Sequence, residues 1–187
     1  MTAGTGSLSD DPCVAALGRV RQVTLPPAAR ALSTLPRVDY EDAFLVETGR
    51  AQDRTAEQWA RAILEDAPVS TRNALSRGWS KLGLRVGSTD PDRFVLGWEL
   101  RRSTPDVVLL GARGRLGLSG ELLFERQQHT LLFATFVQLE NAIARALWTA
   151  IASRHRQVVR DLLEQASGPE RAGQPDAASR PPVRSDD

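Results

Sequence analysis

Between residues 141 and 166, apolar side chains recur at Ala144, Leu147, Trp148, Ile151, Val158, Val159, Leu162 and Leu163. That spacing predicts one stripe of a long amphipathic helix. His155 falls on the same stripe, four residues from both Ile151 and Val159. Asn141 suits its N-cap, since an Asn side-chain oxygen accepts from a first-turn N–H. Elsewhere the period is two. Tyr40, Asp42, Phe44 and Val46 alternate with Glu41, Ala43 and Leu45, predicting a first strand over 39–47. Strand segments are also expected over 93–102, 106–113, 118–126 and 130–139, separated by turn residues such as Ser103-Thr104-Pro105 and Gln127-Gln128-His129.

Two helices fall between the first strand and the rest. Thr55 and Gln58 have the spacing of a capping box, after which Trp59, Ile63 and Ala67 line one side and Pro68 ends the helix. A second helix from about Ser70 carries Leu75, Trp79 and Leu82, with Gly83 or Gly87 as its stop. In the strand over 118–126, Leu118, Leu122 and Phe124 alternate with Ser119, Glu121 and Glu125, which predicts one buried and one wet face. The strand over 130–139 is apolar on both faces, so its second face must also be covered. The fold class expected is α+β: a curved antiparallel sheet gripping a long C-terminal helix, with two short helices after the first strand.

Composition adds bounds. The 187 residues suffice for one domain with a sizeable core, and 41% hydrophobic with 25% charged residues is ordinary for a soluble globular protein. Residues 1–12 read as a disordered N-terminus, 13–38 as a lead-in with a short helix over 13–23 and one helical turn after Pro26-Pro27, 39–166 as the domain, and 167–187 as a disordered tail. The net charge of +1 gives no reason to expect nucleic acid or a membrane surface as partner. Lys81 is the one lysine among 24 Lys+Arg, and the arginines are spread along the sequence, as a GC-rich genome alone would produce. A single cysteine, Cys13, excludes an intramolecular disulfide and a cysteine zinc site. No apolar run approaches the roughly 18–20 residues that span a bilayer, no secretory signal is visible, and a cytoplasmic location is expected.

The order strand, two helices, antiparallel strands, long helix resembles the START-like (SRPBCC, helix-grip) superfamily of lipid-transfer and polyketide-cyclase-type proteins. Five local patterns narrow this: Leu35-Pro36-x-x-Asp39-Tyr40-x-Asp42-Ala43-Phe44, Glu57-Gln58-Trp59-Ala60-Arg61, Ala134-Thr135-Phe136-Val137, Trp148 and His155-Arg156. Together they resemble an uncharacterised, mostly actinobacterial family also found fused behind NmrA-like short-chain reductases. The resemblance implies a fold and a ligand space between sheet and helix, and it carries no assigned chemistry. The pattern departs from it in strand number: four strands follow the helices where six are usual.

No motif dictates a reaction. Gly111, Gly114, Gly117 and Gly120 lack the lysine, the following helix and the spacing of a phosphate-binding loop, and read as a hairpin turn at 114–117 flanked by bulges or bends. Ser119 lacks the glycine two residues on that a nucleophile elbow requires. His155 is the best polar candidate, as an acid/base or as a core histidine with a partner. Asp42, if its face is the inner one, is a buried acid for which His155, Arg113 or Arg126 could be the partner. His129 reads as a surface residue, and two separated histidines make no metal site. No cofactor is implied.

Three functional expectations result. The first is binding of a small hydrophobic molecule against Trp79, Trp98, Phe124, Phe133, Trp148, Ile151 and His155. The second is a cyclase-, hydrolase- or isomerase-type enzyme using His155 with Asp42. The third is an interaction module, either a reductase partner or a homodimer formed through the strand over 130–139, motivated by Leu132, Ala134 and Phe136 on its second face.

Overall fold

The computed structural model describes residues 20–48, 51–87 and 90–167. Its strands are β1 (Val20–Val23), β2 (Tyr40–Glu47), β3 (Phe94–Val95), β4 (Trp98–Ser103), β5 (Val107–Arg113), β6 (Leu118–Arg126) and β7 (Thr130–Leu139). Its helices are α1 (Pro27–Arg30), α2 (Ala56–Leu64), α3 (Val69–Lys81) and α4 (Ala142–Ser167). The strands form one curved antiparallel sheet in the order β1-β2-β7-β6-β5-β4-β3. The long C-terminal helix lies across β1, β2 and β7, while α2 lies under β5 and β6 on the same face.

Local chemistry explains the helix ends. Thr55 Oγ1 accepts from Gln58 N–H at 3.2 Å, and the Gln58 side chain accepts from Thr55 N–H at 2.8 Å, closing the expected capping box. α2 ends earlier than expected, at Leu64 with Glu65 as its C-cap, so Ala67 lies beyond the helix and Pro68 serves as the N-cap of α3. Gly83 stops α3: at φ 73° its N–H donates to Ser80 O, and Leu84 N–H donates to Trp79 O, the pair of bonds that defines a Schellman cap. Asn141 Oδ1 accepts from Ala144 N–H at 2.8 Å and caps α4. Along α4, Ala144, Trp148, Val159, Leu162 and Leu163 are buried, whereas Val158, expected on the stripe, is exposed.

Several boundaries differ from expectation. Val20–Val23 pairs with β2 as an edge strand, where a helix over 13–23 was expected; residues 13–19, with the expected disordered N-terminus, Cys13 and the tail beyond Ser167, lie outside the described residues. The segment over 93–102 is two strands. Leu96 and Gly97 both have positive φ (45° and 82°) and turn the chain between the paired Val95 and Trp98, the pattern of a two-residue hairpin. Among the described residues, five strands therefore follow α2 and α3. Gly111 and Gly120 sit in an unbroken β5–β6 register, and the bulge falls instead in β4, between Leu100 and Arg102.

The sheet is covered on both faces. Phe44, Leu110, Phe124 and Phe133 point to the helices, and the other face carries Leu109, Leu123, Leu132, Ala134 and Phe136. Leu25, Ala29, Leu32, Leu35 and Val38 lie over that second face, so the lead-in is a strap across the sheet. The apolar second face of β7 is thus spent within the chain, which removes the surface that suggested a homodimer.

Candidate functional site

The sheet parity that places Phe44 and Val46 under the helices also places Tyr40 and Asp42 there, and α4 brings His155 over them. His155 Nε2 lies 3.4 Å from Asp42 Oδ2 and 3.2 Å from Oγ1 of Thr135, the residue opposite Asp42 in the β2–β7 register. Tyr40 donates its hydroxyl to Asp42 Oδ2 at 2.7 Å, and Arg156 donates to the Tyr40 oxygen at 3.3 Å. Of the candidate partners for Asp42, the structure selects His155. Arg126 pairs with Asp106, and Arg113 lies on the opposite face of the sheet.

Electrostatics follow from this packing. Burial by itself would raise the Asp42 pKa, but the hydrogen bond and charge of His155, with help from Tyr40 and Thr135, hold it below the ordinary carboxylate value. Tyr40 moves the other way. Burial, with the hydrogen bond to the Asp42 carboxylate behind it, pushes the phenol up to about 12. Two polar atoms in this neighbourhood have no hydrogen-bond partner among the described residues: Asp42 Oδ1 and Trp148 Nε1. Trp148 packs edge-on to Tyr40 with ring centroids 4.9 Å apart, and its centroid is 5.2 Å from that of His155. The imidazole is more open to solvent than the acid it faces, with 20% of its side chain exposed against 2% for Asp42.

The residues expected to line a ligand space are packed against one another. Trp98, Phe124, Phe133 and Trp148 are all buried, and the Phe124–Phe133 and Trp79–Trp98 pairs are edge-to-face at 5.0 and 5.4 Å. Trp79, Ile151 and His155 are half-buried. Gly120 makes room for Trp98: a Cβ on it would stand 3.3 Å from the indole.

The opposite face holds a cluster that sequence reasoning missed. Glu121, expected on a wet face, is fully buried. Its carboxylate accepts from Ser33 Oγ at 2.6 Å and from the Thr34 N–H at 3.1 Å, and also bonds Thr34 Oγ1 and the Arg101 guanidinium. Arg101 is the extra residue of the β4 bulge, and it reaches Glu121 by crossing over Gly111. Beside this pair is an open polar cavity of about 700 Å³ lined by Arg113, Ser119, Gln138 and Glu140 among others. Local alternation made Glu121 look exposed because its partners come from the strap, far away in sequence. Among the described residues no group of three His, Cys, Asp or Glu could hold a metal, and no helix is long and apolar enough to cross a membrane.

Fold and site together define an α+β protein whose antiparallel sheet carries a Tyr–Asp–His cluster beneath its last helix, with Asp42 buried and Tyr40 and His155 half-buried. No family model and no curated protein matches the chain. Among solved structures it is similar to PA94 of Pseudomonas aeruginosa, a protein of unknown function, at 12% identity over 80% of this chain and 85% of that one. The TM-score is 0.26, too low for that likeness to carry an argument.

Proposed function

We propose that the protein binds a small, largely apolar molecule between the sheet and α4, with the polar end of that molecule at Asp42, Trp148 and His155. The observation that carries this reading is the pair of unpartnered polar atoms, Asp42 Oδ1 and Trp148 Nε1. A buried acceptor or donor left unsatisfied costs about 1–3 kcal/mol, and a guest with complementary groups would remove that cost. The way in runs along the middle of α4, where Ile151, Ala152, His155 and Arg156 are only half-buried. Because the large rings already pack edge-to-face, binding involves a shift of α4 rather than entry into a standing void. The element order from β2 to α4 supports kinship with START-like proteins, in which this is the ligand side of the sheet.

Native mass spectrometry of protein purified from its own cells tests the reading. We expect a co-purifying small molecule whose occupancy falls in Asp42→Asn and Trp148→Phe while His129→Gln, an exposed turn position, leaves it unchanged. Repeated absence of any adduct, together with Trp148→Phe being more stable than the parent, would sink it: the indole N–H would then be a tolerated packing defect.

The 3.4 Å contact between His155 and Asp42 favours a second reading, acid–base catalysis on the bound molecule. There Asp42 orients the imidazole and His155 moves the proton. Turnover of the co-purified molecule that is lost in His155→Gln, with ligand occupancy retained, separates catalysis from binding.

A further inference from the structure

The sequence shows dispersed arginines, but the fold gathers some of them. Residues 69–87 contain Arg72, Arg77, Lys81 and Arg85 and no Asp or Glu. After the Schellman cap of α3, Leu84 forms an isolated bridge with Gly114 in the β5–β6 turn. Arg85 N–H donates to Arg113 O and Arg115 N–H donates to Gly83 O, each at 2.9 Å. This bridge holds Arg85 and Arg115 at one cleft of about 620 Å³, whose other walls include Leu84, Val86 and Phe94. Among the described residues no acidic one lines the cleft. Among the described residues neither guanidinium has a hydrogen bond or ion pair; both side chains stand in solvent. Leu116, 44% exposed, packs over Gly83 at the rim.

We propose that this cleft binds an anionic head group, phosphate or carboxylate, carried on an apolar body. Two unpaired guanidiniums present planar forks that match such anions bidentately. With no carboxylate among the described lining residues, the positive potential inside the cleft is not offset by a wall of the cleft itself. Leu84, Val86 and Phe94 supply the apolar contact that a free inorganic ion would not use, and the volume fits a small molecule. The cleft shares no residue with the cluster under α4, so this site stands or falls separately from the function proposed above.

The test is a 1H–15N NMR titration of the full chain with three probes: dodecyl phosphate below its aggregation concentration, dodecyl maltoside and inorganic phosphate. We expect saturable shifts of the Leu84–Gly87 and Gly114–Leu116 amides with dodecyl phosphate. The double variant Arg85→Gln/Arg115→Gln should weaken that binding about tenfold or more, equivalent to one lost factor of about 1.4 kcal/mol. Both positions are exposed, so an unchanged spectrum elsewhere certifies the fold. No saturable shift, or equal binding by the double variant, overturns the proposal. Equal affinity for dodecyl maltoside overturns the anion requirement, and equal affinity for inorganic phosphate overturns the apolar one.

Discussion

Gly111 lies directly beneath the guanidinium of Arg101: a Cβ built on it would collide with Arg101 Nε. The glycine is there because the bulged Arg101 must cross β5 to reach the buried Glu121 on β6. Gly111→Ala should therefore displace Arg101 and strip Glu121 of its cation. Breaking a buried pair in this way costs about 3–5 kcal/mol when one partner is removed, and somewhat less when the arginine is only pushed aside. In an Arg101→Ala background the alanine at 111 should cost little more, giving a coupling energy of about 2 kcal/mol by urea denaturation. Strictly additive losses would mean that the glycine and the arginine are unrelated.

Tyr40 is the one tyrosine in the chain, so ultraviolet absorbance titration reports it alone. Burial and the Asp42 carboxylate favour the neutral phenol, and we expect a midpoint near 12 in place of the ordinary 10. The sign for stability follows. Between those two values the unfolded chain has lost the proton and the folded one keeps it, so the contribution is full below pH 10 and disappears as pH rises through about 12. Asp42→Asn, which removes the charge but leaves an acceptor, should bring the midpoint down. A wild-type midpoint at the ordinary value would show that the phenol faces water.

Asp42 has the opposite dependence. Its carboxyl is held below the ordinary value, chiefly because His155 outweighs the burial that would raise it. Its folded pKa is below the unfolded one, so its contribution is full above the unfolded value of about 4 and is lost as pH falls through the folded value. The stability difference between wild type and Asp42→Asn, from urea midpoints at pH 2 to 7, should shrink towards acid. Asp39 and Glu57 are depressed too, but both proteins share them and the difference cancels them. A difference that stays constant with pH would remove His155 as the partner.

What was legible in the chain was local. The bounds of β6 and β7, the Thr55 capping box, the Gly83 stop and the Asn141 cap are written in residues a few positions apart, where short-range sterics decide. The pairing of His155 with Asp42 could be suspected too, since helical stripe and strand parity each put one of them inside. What was hidden was long-range. Glu121 alternates like a solvated residue, and its burial is made tolerable by Ser33 and Thr34, brought across the sheet by the strap, together with Arg101 from the β4 bulge. Val20–Val23 is too short to show a period, and the apolar run from Phe94 to Trp98 concealed the turn at Leu96-Gly97. Dispersed arginines became a cluster only when an isolated bridge joined two distant turns.

Gly83 combines two reasons for having no side chain, and they can be separated. Its φ of 73° disfavours any L-residue by roughly 1–2 kcal/mol. A Cβ there would also stand 2.9 Å from Leu116 Cγ. Gly83→Ala should therefore lower stability by about 2 kcal/mol, the strain plus the displacement of Leu116. Leu116→Ala alone should cost little, because that side chain is 44% exposed. Combined, the two should cost less than their sum, because the contact is gone while the backbone strain remains. Thermal denaturation of the four proteins measures this. Full additivity would mean that the α3 end tolerates a methyl group and that Leu116 does not rest on it.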